Sequence, residues 1–107
     1  MKFDKSLLTI GFLASFALNA AQLPSPIENV DVYETHSKYL SIHNLSQTTA
    51  KIDIYGTIFE IKPASGVSYE CESYEKLELS FKYNNHGYFE VPCQSRILIN
   101  ENFKNQY

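Results

Sequence analysis

The residues best suited to binding a metal are three histidines, His36, His43 and His86, which are spread over 50 positions. A zinc or copper site needs ligands that converge from nearby positions. No cysteine or aspartate pair lies close to these histidines, and the only methionine that could complete a blue-copper site is Met1. The sequence therefore predicts solvated histidines, with no metal and no other cofactor.

The residues that could catalyse hydrolysis form no recognisable motif. A nucleophile elbow has the form G-x-S-x-G, and the pair Ser65-Gly66 lacks the first glycine. Glu70, Glu72 and Glu75 could supply paired carboxylates for acid–base chemistry. Strand alternation, however, places Glu70 and Glu72 on one face, where a solvated acidic edge explains them. The sequence predicts a protein that is not an enzyme, with a minimal hydrolase as the least favoured alternative.

Cys71 and Cys93 are the only cysteines. A redox-active pair usually has the spacing C-x-x-C or an activating base nearby, and the 23 residues from Cys71 to Cys93 show neither. Two thiols in an oxidising compartment most simply form one disulfide. Closing a loop of this length stabilises a fold by about 3.4 kcal/mol in the chain-entropy treatment. We therefore predict a structural disulfide between Cys71 and Cys93.

Tyrosine is the one unusual residue in the composition. Tyrosine is common in strands, so part of this number is ordinary β composition, but it also supplies contact area with a polar tip at interfaces. Tyr33, Tyr39 and Tyr55 fall opposite the aliphatic side of their strands or just outside them, and they are the predicted partner-binding residues. An exposed tyrosine face with acidic neighbours suits a protein or a sugar. All eight tyrosines follow residue 20: Tyr33, Tyr39, Tyr55, Tyr69, Tyr74, Tyr83, Tyr88 and Tyr107.

The elements that must position these residues are strands. Apolar and polar residues alternate from Lys76 to Tyr83, the segment 84–87 (Asn-Asn-His-Gly) favours a turn, and Tyr88 to Cys93 returns. Pairing that keeps the large apolar residues on one face predicts these opposite pairs: Phe81 with Phe89, Leu79 with Val91, and Leu77 with Cys93.

In a second set of apolar residues, the alternation of apolar and polar positions changes phase across Gly56-Thr57. One interpretation is a bulge in a single bent strand. The favoured one is a two-residue type II′ hairpin with Gly56-Thr57 as its loop. The hairpin would place like charges opposite each other but opposite charges on the diagonals. The opposed pairs would be Ile54 with Phe59, Ile52 with Ile61, Asp53 with Glu60 and Lys51 with Lys62, and the diagonals Lys51–Glu60 and Asp53–Lys62.

The remaining strands are shorter, and the whole predicts an all-β fold: a small antiparallel β-sandwich of seven or eight short strands with one disulfide. Leu40 and Ile42 should point inward, and Val67, Tyr69 and Cys71 should share one face of their strand. Either the first strand, Val30 to Tyr33, or the last, Arg96 to Ile99, should be a sheet edge. The predicted organisation is a signal peptide (1–20), an extended leader (21–29), the sandwich (30–99) and a frayed polar tail (100–107).

The segment from Ile52 to Cys71 contains a strand, a glycine turn, a strand, a proline turn and a strand ending in cysteine. In this order it resembles the immunoglobulin-like sandwiches of exported bacterial proteins. The likeness is one of architecture, because the chain has no tryptophan and so lacks the core tryptophan of antibody domains.

The N-terminus is typical of a secretory signal peptide. Lys2 and Lys5 precede a run from Ser6 to Leu18 that carries no charge and ends in small residues. The run is too short to span a bilayer, which takes about 20 apolar residues. Cleavage is favoured after Ala20, with Ala17 as the alternative. We expect a periplasmic or secreted protein that is not inserted in the membrane after cleavage.

Removing residues 1–20 leaves 7 basic and 11 acidic side chains, a net charge of −4. Nucleic acid and anionic membrane surfaces require a basic face instead. We therefore predict a non-enzymatic protein-binding module of the immunity, inhibitor or envelope accessory type. Its partner would be another envelope or extracellular protein, and the alternative is a small-ligand or glycan-binding domain.

Overall fold

The computed structural model describes residues 21–71 and 75–106, which form nine strands. The predicted signal peptide, as well as Glu72, Tyr74 and Tyr107, lies outside the described residues. The described part of the chain contains no helix that could span a bilayer. The strands are β1 (Gln22–Leu23), β2 (Val30–Glu34), β3 (Tyr39–Asn44), β4 (Ala50–Ile54), β5 (Thr57–Ile61), β6 (Ser65–Glu70), β7 (Lys76–Phe81), β8 (Phe89–Pro92) and β9 (Ser95–Ile99).

The strands form two sheets that pack as a sandwich, so the predicted fold class is confirmed. The five-stranded sheet has the order β1-β2-β9-β3-β6, and the four-stranded sheet has the order β5-β4-β7-β8. One pair differs from the expected antiparallel arrangement, because β3 and β9 run parallel. Side chains alternate in the same way in parallel and antiparallel strands, so the sequence pattern could not distinguish the two.

The core lies between the sheets and is built from the inward residues of each strand, among them Leu40 and Ile42, as predicted. Val67 and Tyr69 are partly buried against it, and Cys71 is buried. The residues with the least exposed side chains include Val32, Leu40, Ile42, Ile52, Ile54, Leu77, Leu79, Ile97 and Ile99.

The segments outside the predicted sandwich also pack on it. In the leader, β1 pairs with β2, with Gln22 opposite Tyr33, and Ile27 is buried. The prediction of a frayed tail is wrong, because Phe103 is 2% exposed and its ring centroid lies 5.8 Å from that of Phe81. A single apolar residue in a polar segment is a weak sequence signal, although burying it contributes as much as burying any other core phenylalanine.

The prediction that the first or the last strand forms an edge is wrong. Strand β9 lies between β2 and β3, and β2 is covered by β1. The edges are β1 and β6 in one sheet and β5 and β8 in the other. Strand β2 is not an edge because β1 of the leader pairs with it, and β9 is not an edge because it pairs with both β2 and β3. Composition alone did not indicate these pairings.

The β4–β5 hairpin is confirmed, but its loop is Tyr55-Gly56, one residue earlier than predicted. Both loop residues have positive φ, 50° at Tyr55 and 87° at Gly56, which identifies a type I′ loop in place of type II′. The register consequently shifts by two, and Lys51 lies opposite Glu60 instead of Lys62. Their side chains form an ion pair at 3.6 Å. The observed register thus removes the unfavourable like-charge pairs of the predicted one.

The predicted β7–β8 register is also wrong by two residues. Leu79 lies opposite Phe89, and Leu77 lies opposite Val91. A shift of two keeps every side chain on its own face, so the apolar pattern fits both registers equally. Cys93 follows β8 and is bonded to Cys71 of the other sheet, so it does not pair with Leu77.

The predicted disulfide between Cys71 and Cys93 is present, with Cα atoms 6.0 Å apart. Cys71 follows β6 of the five-stranded sheet and Cys93 follows β8 of the four-stranded sheet. Both residues are buried. The bond therefore ties the two sheets together at one end of the sandwich.

Candidate binding face of the four-stranded sheet

The three tyrosines predicted to bind a partner do not share one face. Tyr33 on β2 and Tyr39 at the start of β3 both lie on the outer side of the five-stranded sheet, alternating with buried residues. Tyr55 belongs to the β4–β5 loop in the other sheet. The expectation of a single surface carrying all three is therefore corrected, since side-chain alternation does not tell which strands share a sheet.

Large exposed side chains gather instead around the outer side of the four-stranded sheet. Tyr55, Ile58, Tyr83 and Tyr88 are each between 43% and 55% exposed. We call the outer side of this sheet, with these four residues, the tyrosine face. It contains one residue of the predicted set, Tyr55, whereas Tyr33 and Tyr39 lie on the other sheet.

Asp53 lies at the centre of the tyrosine face. It is opposite Ile58 on β5 and Ser80 on β7, and it is only 8% exposed. Its Oδ1 accepts a hydrogen bond from the Gly56 amide at 2.7 Å, and its Oδ2 accepts one from the Tyr88 hydroxyl at 2.8 Å. One carboxylate therefore fixes both the hairpin loop and the tyrosine that precedes β8.

The Tyr88 hydroxyl is a donor at neutral pH. Its hydrogen bond to Asp53 is the main reason that its pKa is raised above the usual 10.0. The phenol consequently stays protonated well above neutral pH and can donate to the carboxylate.

Lys51 holds the second tyrosine of the face. Its Nζ lies 5.5 Å from the centroid of the Tyr83 ring and 3.6 Å from a carboxylate oxygen of Glu60. The ammonium group is thus attracted both by the ring and by the carboxylate. Lys51 therefore contacts both Tyr83 and Glu60, and its charge is offset by Glu60.

Two carboxylates of like charge face each other beside these tyrosines. Glu78 on β7 lies directly opposite Glu90 on β8, both on the side that carries Ser80, and both are exposed. Like charges in directly opposed positions destabilise a strand pair. A cation placed between these two carboxylates would relieve their repulsion, and Lys76 lies on the same side of β7, two residues before Glu78.

Tyr83 and Tyr88 were missed by the sequence reasoning for different reasons. Alternation places Tyr83 with the inward residues, but it follows the end of β7 and has φ of 62°, which takes it out of the strand pattern. Tyr88 directly precedes Phe89, which packs against the core. Its outward position could therefore have been derived from alternation.

The residues considered and set aside for catalysis or metal binding form no such site in the described chain. His43 is exposed on the outer side of β3, and His86 lies in the β7–β8 connection with its ring centroid 6.0 Å from that of Phe89. The Ser65 hydroxyl donates to the Lys62 carbonyl at 2.6 Å. Within residues 21–71 and 75–106, no three His, Cys, Asp or Glu side chains come together as metal ligands.

No protein-family model, curated protein sequence or solved structure matches this chain. Its function is accordingly inferred from the geometry of the tyrosine face.

Proposed function

We propose that this chain is an exported, non-enzymatic protein-binding module. It recognises a basic segment of a partner protein through the tyrosine face. The observation that carries the proposal is the clustering of Tyr55, Ile58, Tyr83 and Tyr88 around the buried carboxylate of Asp53 on one sheet surface.

The tyrosines of this face are ordered before a partner arrives. Tyr88 is held by Asp53, Tyr83 lies under Lys51, and the Tyr55 hydroxyl donates to the Lys76 carbonyl at 3.3 Å. Ordering a flexible side chain at an interface costs about 0.5–1.5 kcal/mol. Prior ordering removes part of that cost, and tyrosine is among the residues that contribute most to protein interfaces.

The opposed carboxylate pair and the net charge of the chain favour a basic partner. Glu78 and Glu90 oppose each other beside Tyr88, and the chain after residue 20 has a net charge of −4. A lysine or arginine of the partner would relieve the repulsion between the two carboxylates. Its charge would also lie close to tyrosine rings, which attract cations.

Export is proposed from the signal-like N-terminus together with the disulfide. Disulfides persist in oxidising compartments such as the periplasm or the cell exterior, and Cys71 and Cys93 are bonded. The partner is accordingly an envelope or extracellular protein. An intact mass that corresponds to a chain beginning at or near Ala21 supports export. A mass that corresponds to all 107 residues contradicts it.

Capture of a partner tests the proposal. The purified exported protein is immobilised and exposed to envelope and culture-medium proteins of the source cell. Bound proteins are then compared for the wild type, Ile58→Asp and Tyr39→Ala, the last being a matched control on the other sheet. We expect one stoichiometric protein with the wild type and Tyr39→Ala, and a loss with Ile58→Asp. Glycan binding without a protein partner would instead support the alternative function.

A further inference from the structure

The strand β6 forms a sheet edge whose only charge is at its last residue, Glu70. Natural sheets protect their edges with charges, prolines or very short strands. Among the edge strands of the described chain, β5 carries Glu60, β8 carries Glu90 and Pro92, and β1 has two residues. The segment from Ser65 to Tyr69 of β6 contains neither a charge nor a proline. This edge is therefore suited to pairing with another strand.

The backbone groups that point away from the sheet can be assigned from neighbouring hydrogen bonds. The Leu45 amide donates to the Ile99 carbonyl at 2.7 Å, whereas the Asn44 carbonyl accepts from the Ala64 amide at 2.9 Å. Successive residues of a strand point their backbone groups to opposite sides. Ser65, Val67 and Tyr69 therefore face β3, and Gly66, Ser68 and Glu70 direct their amides and carbonyls to the open edge.

We propose that β6 pairs antiparallel with β6 of a second copy of this chain, across a two-fold axis at Ser68. Ser68 then lies opposite Ser68 of the second copy, Val67 opposite Tyr69, and Gly66 opposite Glu70. The two five-stranded sheets join into one continuous sheet. This surface uses no residue of the tyrosine face and does not depend on the proposed function.

Two requirements determine the register: the inner and outer faces of the two copies must be continuous, and the number of backbone hydrogen bonds must be highest. A pairing shifted by one residue would set the inner face of one copy beside the outer face of the other. An axis at Val67 keeps the faces but forms roughly four backbone hydrogen bonds, whereas the axis at Ser68 forms roughly six. The difference arises because an axis at Val67 would set Glu70 opposite Ala64, whose amide already donates to Asn44.

The strand is complementary to itself in size, which favours a second copy over an unrelated strand. Gly66, which has no side chain, lies opposite the long Glu70, and two small serines meet on the axis. The two Glu70 residues are about 13 Å apart along the strands, beyond the screening length of about 8–10 Å. On the inner side Val67 contacts Tyr69 of the second copy, next to the ring pair of Tyr69 and Phe59, whose centroids are 5.9 Å apart.

Sedimentation equilibrium of the purified exported protein tests this dimer. We expect a reversible dimer for the wild type and for Ser68→Thr, and a monomer for Ser68→Pro. Proline removes the Ser68 amide that points to the open edge, while the pairing with β3 does not use that amide. A wild type that stays monomeric at the highest attainable concentration would overturn the proposal. A dimer that persists in folded Ser68→Pro would overturn it too.

Cysteine cross-linking tests the register without relying on a disruptive change. Directly opposed hydrogen-bonded residues have Cα atoms about 5.5 Å apart, within the range for a disulfide. Ser68→Cys should therefore form a covalent dimer under mild oxidation far faster than Gln47→Cys, an exposed control in the β3–β4 loop. Equal rates for the two variants would contradict the two-fold axis at Ser68.

Discussion

The hydroxyl of Tyr88 donates a hydrogen bond of 2.8 Å to the carboxylate of Asp53, a residue 35 positions earlier in the chain. Asp53 is 8% exposed, whereas Tyr88 is 55% exposed. A buried group therefore fixes the orientation of an exposed ring. This relationship connects the stability of the four-stranded sheet to the arrangement of its exposed tyrosine face.

Removing the Asp53 carboxylate should destabilise the domain. Asp53→Ala leaves the Gly56 amide and the Tyr88 hydroxyl without their acceptor. We expect the free energy of unfolding, measured by urea denaturation, to fall by about 0.5–1.5 kcal/mol from the loss of the Gly56 hydrogen bond. Asp53→Asn retains an amide oxygen that can accept one of the two hydrogen bonds, so its loss should be smaller. An Asp53→Ala variant as stable as the wild type would contradict this role.

The same hydrogen bond should be visible in the titration of Tyr88. Its pKa is raised above 10.0, first by the hydrogen bond to Asp53. The fold favours the protonated phenol, so this contribution to stability is fully present below pH 10 and is lost as the pH rises through the raised pKa. Phenolate absorbance of the wild type minus that of Tyr88→Phe isolates the group. Asp53→Asn should lower the pKa, and an unchanged titration would refute the assigned cause.

Loss of the disulfide should weaken the fold without changing its architecture. The bond closes a loop between residues that are 22 positions apart. We expect Cys71→Ser/Cys93→Ser to lose about 2–4 kcal/mol of unfolding free energy. The reduced wild type serves as the matched control and should be destabilised to a similar extent. Detection of two free thiols in the native protein by labelling would contradict the bond itself.

Phe103 should behave as a core residue although it lies in a polar segment. It is 2% exposed and packs on Phe81. Phe103→Ala should therefore cost about 3–5 kcal/mol of unfolding free energy. The exposed neighbour Lys104 is the control, and Lys104→Ala should stay within about 0.5 kcal/mol of the wild type. If the two variants were equally stable, the docking of this segment would be refuted.

Alternation in the sequence predicted which side chains face the core, but it did not predict the registers. Leu77, Leu79 and Phe81 are buried as expected, yet Leu79 lies opposite Phe89 instead of Val91. A two-residue shift leaves each side chain on the same face of the sheet. The register must therefore be determined by loop geometry and by contacts between strands. At β4–β5 the positive φ of Tyr55 and the pairing of Lys51 with Glu60 determine the result.

The tyrosine face was beyond the reach of sequence patterns for a topological reason. Tyr55 and Tyr88 are far apart in the chain and come together because β5, β4, β7 and β8 form one sheet. Strand order depends on contacts between distant segments, which alternation within one segment does not encode. For the same reason, the sequence pattern did not show that Tyr55 lies in a different sheet from Tyr33 and Tyr39.

The most direct test of the tyrosine face is the affinity of the captured partner for two matched tyrosine variants. Tyr83→Ala removes a ring from the face, and Tyr39→Ala removes a similarly exposed ring from the other sheet. Isothermal titration calorimetry should show a dissociation constant at least about thirtyfold higher for Tyr83→Ala, as expected of an interface hot spot. Tyr39→Ala should change it by less than about threefold. The reverse order, or no effect of Tyr83→Ala, would contradict binding through the four-stranded sheet.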